Sequence, residues 1–172
     1  AGARPERWIK ICSRQLNLPF PVLTEVRFME RYEIRKVETP QERLAAEELF
    51  RKVFIMEKSL FSETSFQEIS QNSDCLVIFS EERPVAISCF SFENGYANIK
   101  FIAVAAEFRR QGLGKKLISE IQKAANEASI KTIRINSSVG ARTFFFSNGF
   151  KENGKPTISG NNAFILLCKE LA

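Results

Sequence analysis

The chain of 172 residues contains no histidine. A histidine-ligated metal and every Ser/His or Cys/His nucleophile pair are therefore excluded at the outset. Its cysteines, Cys12, Cys75, Cys89 and Cys168, are far apart and form no C-x-x-C, so neither a thiolate zinc spacing nor a dithiol redox motif is present. Cys75, Cys89 and Cys168 sit in apolar runs and read as buried thiols. Long hydrophobic runs are missing too. The longest, residues 101–106 and 163–168, fall far short of the roughly 20 residues that span a bilayer, and no membrane segment is expected. Tryptophan occurs once and tyrosine twice against sixteen phenylalanines, a bias that reads as core composition.

Charge of one sign is concentrated nowhere except mildly at the start. Residues 1–36 carry eight Lys/Arg and four Glu, leaving +4 of the chain's +5. The body is thus nearly neutral and lacks the dense basic stripe of a nucleic-acid surface. The first 30 residues have no apolar signal core, and Glu6 and Glu25 argue against a transit segment, so a reducing, cytoplasmic setting is the expectation.

Residues 1–31 read as an N-terminal extension. Trp8, Cys12 and Leu16 share one side of a short helix over 6–16, and two prolines in 17–22 break it. A single domain follows over 32–172. Residues 32–38 alternate as a strand. Thr39 then serves as N-cap with Pro40 at the first helical position and Glu42 in the first turn, and Leu44, Leu49, Phe50, Val53 and Phe54 are assigned to one helical face. Residues 59–70 are a polar loop or a short helix. Strands over 75–80 and 85–93 are joined by a turn at 81–84. Asn94-Gly95, a strong hairpin signal because a type I′ turn needs positive φ twice, leads to a strand over 96–105 that is apolar on both sides and so central. A helix over 112–128 buries Leu113, Leu117, Ile118, Ile121 and Ala125. A strand over 131–138, a short helix over 140–147 and a strand over 163–171 complete the order. The expected architecture is α/β: a mixed, mostly antiparallel sheet with helices on both faces and one parallel pair.

The residues between the central strand and the long helix are chemically distinctive. In 109-RRQGLGKKL-117, basic residues bracket Gly112 and Gly114 where the helix begins. The first amides of a helix lack internal partners and carry the positive end of its dipole, glycines let a bulky anion approach the backbone, and Arg109, Arg110 and Lys115 add charge. This is an anion site suited to a diphosphate. It is neither a Walker A loop nor a G-x-G-x-x-G fingerprint, whose third glycine is replaced by Leu117.

The run 102-IAVAAEFRRQGLGKKL-117 resembles the acetyl-CoA motif of the GNAT superfamily of N-acetyltransferases, a strand followed by [Q/R]-x-x-G-x-[G/A], with Arg109, Gly112 and Gly114 in its defining positions. A second block, 141-ARTFFFSNGF-150, resembles the family's A-x-x-[F/L]-Y-x-x-x-G-F through Ala141, Phe144, Gly149 and Phe150. The resemblance implies a GNAT-like sheet whose two parallel strands splay apart. It also implies an acetyl-CoA co-substrate held by Ile102, Ala103, Val104, Arg109, Arg110, Gln111, Gly112, Leu113, Gly114, Lys115 and Ser138. The acceptor is then an amine on a small molecule or peptide that attacks the thioester directly, without a metal. A homodimer is an assembly such domains often adopt. Three positions depart from the family pattern: Asn98 stands where many members have a glutamate base, Phe145 where they have a tyrosine acid, and Ser138 where the family has an asparagine that contacts the cofactor. That leaves two readings open. One is an enzyme working by positioning, with Glu93, Tyr96 or Glu107 as substitute bases and Lys100 and Tyr96 near the acceptor. The other is an acetyl-CoA-binding regulatory module without catalysis.

Overall fold

A computed structural model describes residues 32–172, so the helix read over residues 6–16 lies outside the described residues. The chain forms, in order, β1 (Tyr32–Lys36), α1 (Pro40–Phe50), a π-helical segment (Arg51–Glu57), α2 (Ser65–Gln71), β2 (Asp74–Ser80), β3 (Arg83–Glu93), β4 (Tyr96–Val104), α3 (Leu113–Glu127), β5 (Thr132–Ser138), α4 (Arg142–Ser147), β6 (Lys151–Glu152), β7 (Thr157–Ser159) and β8 (Asn162–Glu170). The strands make one sheet in the order β1-β2-β3-β4-β5-β8-β6, with β7 paired to β8. All pairs are antiparallel except β4–β5, because only the α3 crossover returns the chain in the same direction.

Local signals account for most of this. Thr39 Oγ1 accepts from the Glu42 amide while the Glu42 carboxylate accepts from the Thr39 amide, a complete capping box with Pro40 at the first turn. Asn94 and Gly95 both have positive φ, 53° and 77°, as a type I′ hairpin requires. The stripe on α3 is buried as expected, together with Gly114. Leu44, by contrast, is 67% exposed. The buried set is Ala46, Leu49, Phe50, Val53 and Phe54, whose spacing of three and four leaves position 44 on the other side. The strands β6 and β7 and the early start of β3 at Arg83 are additions to the sequence reading.

The sheet is covered on both faces. On one face, α1, the π segment and α2 pack on β2, β3 and the second half of β4. The phenylalanine bias is explained here: the Phe50 ring lies 4.8 Å from Phe101, 5.0 Å from Phe54 and 5.4 Å from Phe66. On the other face, α3 and α4 cover β3, β4, β5 and β8. Cys75 and Cys89 are buried as expected, but the β2–β3 register sets them directly opposite and their sulfurs are joined as a disulfide, a correction to the reading of separate thiols. Cys168 is free and only half-buried. No helix among the described residues is long and apolar enough to cross a membrane.

Candidate active site

The parallel strands β4 and β5 pair only over Ala97–Ile99 and Ile133–Ile135. Beyond that rung β4 continues to Val104 and β5 to Ser138 without a bond between them, so the two strands open into a V. A bulge marks the opening: Cys89 faces Phe101 and Phe90 faces Ile99, leaving Lys100 as the extra residue. The Ala105 amide donates to the Val85 carbonyl of β3 (2.9 Å). Strand alternation therefore turns the Ile102 and Val104 amides the other way, into the V.

The V runs into the start of α3. Gly112 is the N-cap in the left-handed region (φ 81°), Arg110 also has positive φ (65°), and no side chain caps the helix. The leading amides of this 15-residue helix are thus offered to whatever occupies the groove. The two glycines serve different ends. A Cβ at Gly112 would meet no atom within 4 Å, but its φ disfavours one. A Cβ at Gly114 would lie 2.8 Å from Phe144 Cζ, so Gly114 makes room for a ring from α4 rather than for an anion.

A groove of about 810 Å³ follows this path. Of the residues expected to hold the co-substrate, Ile102, Ala103, Val104, Arg109, Arg110, Gly112, Leu113, Gly114 and Lys115 line it. Two do not. Gln111 accepts a hydrogen bond from the Tyr32 hydroxyl, and Ser138 lines a neighbouring cleft of about 320 Å³ that shares Lys58 and Gly140 with the groove. Ala141 and Phe144, matched in the second motif block, line it too, while Val53 and Phe54 from the π segment and the adjacent Lys58 line it and were not read as site residues from the sequence. The signal of Val53 and Phe54, an apolar helical face running past Phe50, is indistinguishable from core.

The charges are arranged unevenly. Arg109 is tied down, Nη2 donating to Glu57 Oε2 (2.6 Å) and Nε to the Val104 carbonyl (3.0 Å). Arg110 and Lys115 have no partner among the described residues. Asn98 is 9% exposed and fully committed. Its Nδ2 donates to the Glu93 and Tyr96 carbonyls (both 3.3 Å), and its Oδ1 accepts from Arg134 Nε. Phe145 is buried against Phe150 and Phe144. Among the substitute bases, Glu93 is held below the ordinary carboxylate range by the Ser91 hydroxyl and then by Lys100. Glu107 is shifted the same way by its own amide and by Lys52, and it is bonded to Arg83 and Lys52. The Tyr96 ring lies beneath the Arg134 guanidinium. No cluster of three or more metal-ligating residues occurs among the described residues.

This combination of splayed parallel strands and an uncapped glycine-led helix is the frame of an acyltransferase domain, and comparison with known proteins agrees. Residues 34–170 match the model of the acetyltransferase (GNAT) domain, and the chain belongs to the GNAT acetyltransferase family. It is 24% identical over 99 residues, 58% of this chain and 71% of the relative, to a Bacillus subtilis (strain 168) protein named uncharacterized N-acetyltransferase YjcF. Among solved structures it is similar to the ribosomal-protein-S18-alanine N-acetyltransferase of Escherichia coli (TM-score 0.68, 19% identity, 81% of this chain and 94% of that one). It is also similar to a GNAT family acetyltransferase of Elizabethkingia anophelis with acetyl-CoA bound (TM-score 0.63, 17% identity, 81% and 98%).

Proposed function

We propose that the protein transfers an acetyl group from acetyl-CoA to a primary amine by direct attack. The observation that carries this reading is the continuity of the V between β4 and β5 with the uncapped start of α3. An extended thioester arm fits the V, and a diphosphate fits the amides of residues 110–115 with Arg110 and Lys115 alongside. The homologue from Elizabethkingia anophelis holds acetyl-CoA, which supports the same ligand here. Carried through, the neutral amine forms a bond to the acetyl carbon while the carbonyl oxygen takes negative charge, which the inward-facing Val104 amide is oriented to stabilise. The C–S bond then breaks, the thiolate leaves, and the amine proton passes to solvent.

A second reading, an acetyl-CoA-binding regulatory module without catalysis, is favoured by one observation: neither Asn98 nor Phe145 can move a proton. Losing general acid–base help costs on the order of 10²–10⁴ in rate, which slows transfer without abolishing it, so we favour the enzyme. Calorimetry of the full chain with acetyl-CoA, followed by thiol release across a panel of primary amines, separates the cases. Heat together with amine-dependent release supports the transferase. Heat with no release by any amine leaves the regulatory module. Absence of heat sinks both.

A further inference from the structure

The face of the sheet opposite α3 is not covered by a helix along its whole width. On β5, Ile133 and Ile135 are buried beneath α3 and α4, so Arg134 and Asn136 point to the other face, where Asn136 is exposed. On β4, Ala97 and Ile99 likewise face α3, which puts Tyr96 and Asn98 beside Arg134. Register places Asn98 opposite Arg134, one rung before the strands part at Ile99 and Ile135. This polar group therefore stands at the apex of the V, on the side away from the long helix.

Arg134 is held there unusually firmly for a half-buried arginine. Its Nε donates to Asn98 Oδ1, and its guanidinium carbon sits 4.1 Å from the centre of the Tyr96 ring. Asn98 is itself fixed by the Glu93 and Tyr96 carbonyls. The nearby carboxylate that would otherwise claim the arginine, Glu93, is bound by Ser91 and Lys100. Both terminal nitrogens of Arg134 are left without a partner among the described residues. An exposed arginine normally loses side-chain entropy when it is held in one geometry. Here that ordering is imposed by Asn98 and Tyr96 before any ligand arrives, so a planar two-oxygen anion meets a ready fork.

The geometry points to Arg134 as the anchor for a carboxylate on the acetyl acceptor, so that the acceptor is an amine that also carries an acidic group. This inference rests on the acetyltransferase reading. It also gives Asn98 a role: in place of a base, it orients the acceptor's anchor.

The test uses the full chain at saturating acetyl-CoA and acceptors paired by their acid, amino acids against their carboxamides and peptides with Asp against Asn at the second residue, with kcat/KM expressed per concentration of neutral amine in each pair. The first pair reports a free small-molecule carboxylate and the second a peptide side chain. In at least one pair the acid is expected to be preferred by about 10- to 100-fold in kcat/KM, the range of one charge-assisted bidentate contact. R134Q should erase that preference and leave the KM for acetyl-CoA unchanged. R134K keeps the charge but not the fork, and should retain only a small part of the preference. A binding readout needs no turnover: calorimetry of N-acetylated acid against N-acetylated amide on the CoA-loaded protein should show the same preference and the same loss. Equal or better handling of the neutral partner in every pair overturns the inference, as does a preference that survives both variants. Acetyl-CoA binding with turnover but no acid preference removes this inference alone, whereas failure to bind acetyl-CoA removes the transferase reading and this inference with it.

Discussion

Gly112 and Gly114 are two residues apart and are glycine for different reasons, and substitution should tell them apart. At Gly112 there is space but a left-handed backbone (φ 81°), which costs an L-residue about 1–2 kcal/mol. G112A should lower stability by about that amount and weaken acetyl-CoA binding, because the relaxed turn re-aims the first amides of α3. At Gly114 the backbone is helical, so alanine gains up to about 1 kcal/mol of propensity while its Cβ collides with the tip of the Phe144 ring. G114A should therefore change stability little but displace Phe144 in the groove wall. F144A combined with G114A should then be more stable than the sum of the two single changes predicts. Urea unfolding of the four proteins, with acetyl-CoA titrations, checks both statements; equal behaviour of G112A and G114A would contradict them. The motif was legible in the sequence because it is local, but the division of labour was not, since only the fold brings Phe144 over Gly114. Glu57, which holds Arg109 from 52 residues away, left no signal at all for the same reason.

At the level of the element, the clearest legible feature is the start of α1. T39A removes the hydroxyl that accepts from the Glu42 amide and should cost about 1 kcal/mol. The pH dependence comes from its partner. The Thr39 and then the Glu38 amides hold the Glu42 carboxyl below its ordinary value. A carboxyl with a depressed folded pKa contributes stability in full above its unfolded value, about 4.3, and loses that contribution as pH falls through the folded value. The stability difference between wild type and E42Q should therefore be constant from neutral pH down to about 5 and shrink below about 4, measured by denaturant unfolding across that range. Elements whose signals were self-contained, such as the hairpin at Asn94-Gly95 and the amphipathic α3, were readable. Two kinds were not. The strands β6 and β7 are two and three residues long, too short to show a period. The π segment, where the helix widens and carries Val53 and Phe54 to the groove, reads as ordinary helix because π and α turns bury the same side chains over so short a run.

For the whole molecule, the question is where the amine's proton goes. The groove lies where β4 and β5 part, yet the two positions that handle protons in many relatives are Asn98, satisfied on every polar atom, and Phe145, buried. The carboxylates nearest by sequence, Glu93 and Glu107, are both shifted toward the charged form by their partners and are correspondingly weak bases. On the proposed reading, what the protein supplies is position and an oriented amide, which amounts to holding a neutral amine that solvent has already deprotonated. That has a kinetic signature. The pH dependence of kcat, with both substrates saturating, reports ionisations of the ternary complex. Without a protein base the rising limb belongs to the bound amine. It should therefore move upward when a peptide offering only its α-amine, with a pKa of about 7.7–8.0, is replaced by one offering only a lysine ε-amine, at about 10.4. A side chain acting as base would instead keep the limb in one place whichever amine is used. Profiles from pH 6 to 10 with the two peptides decide it, and a fixed midpoint would assign the proton to a residue of this chain and end the case for catalysis by positioning alone.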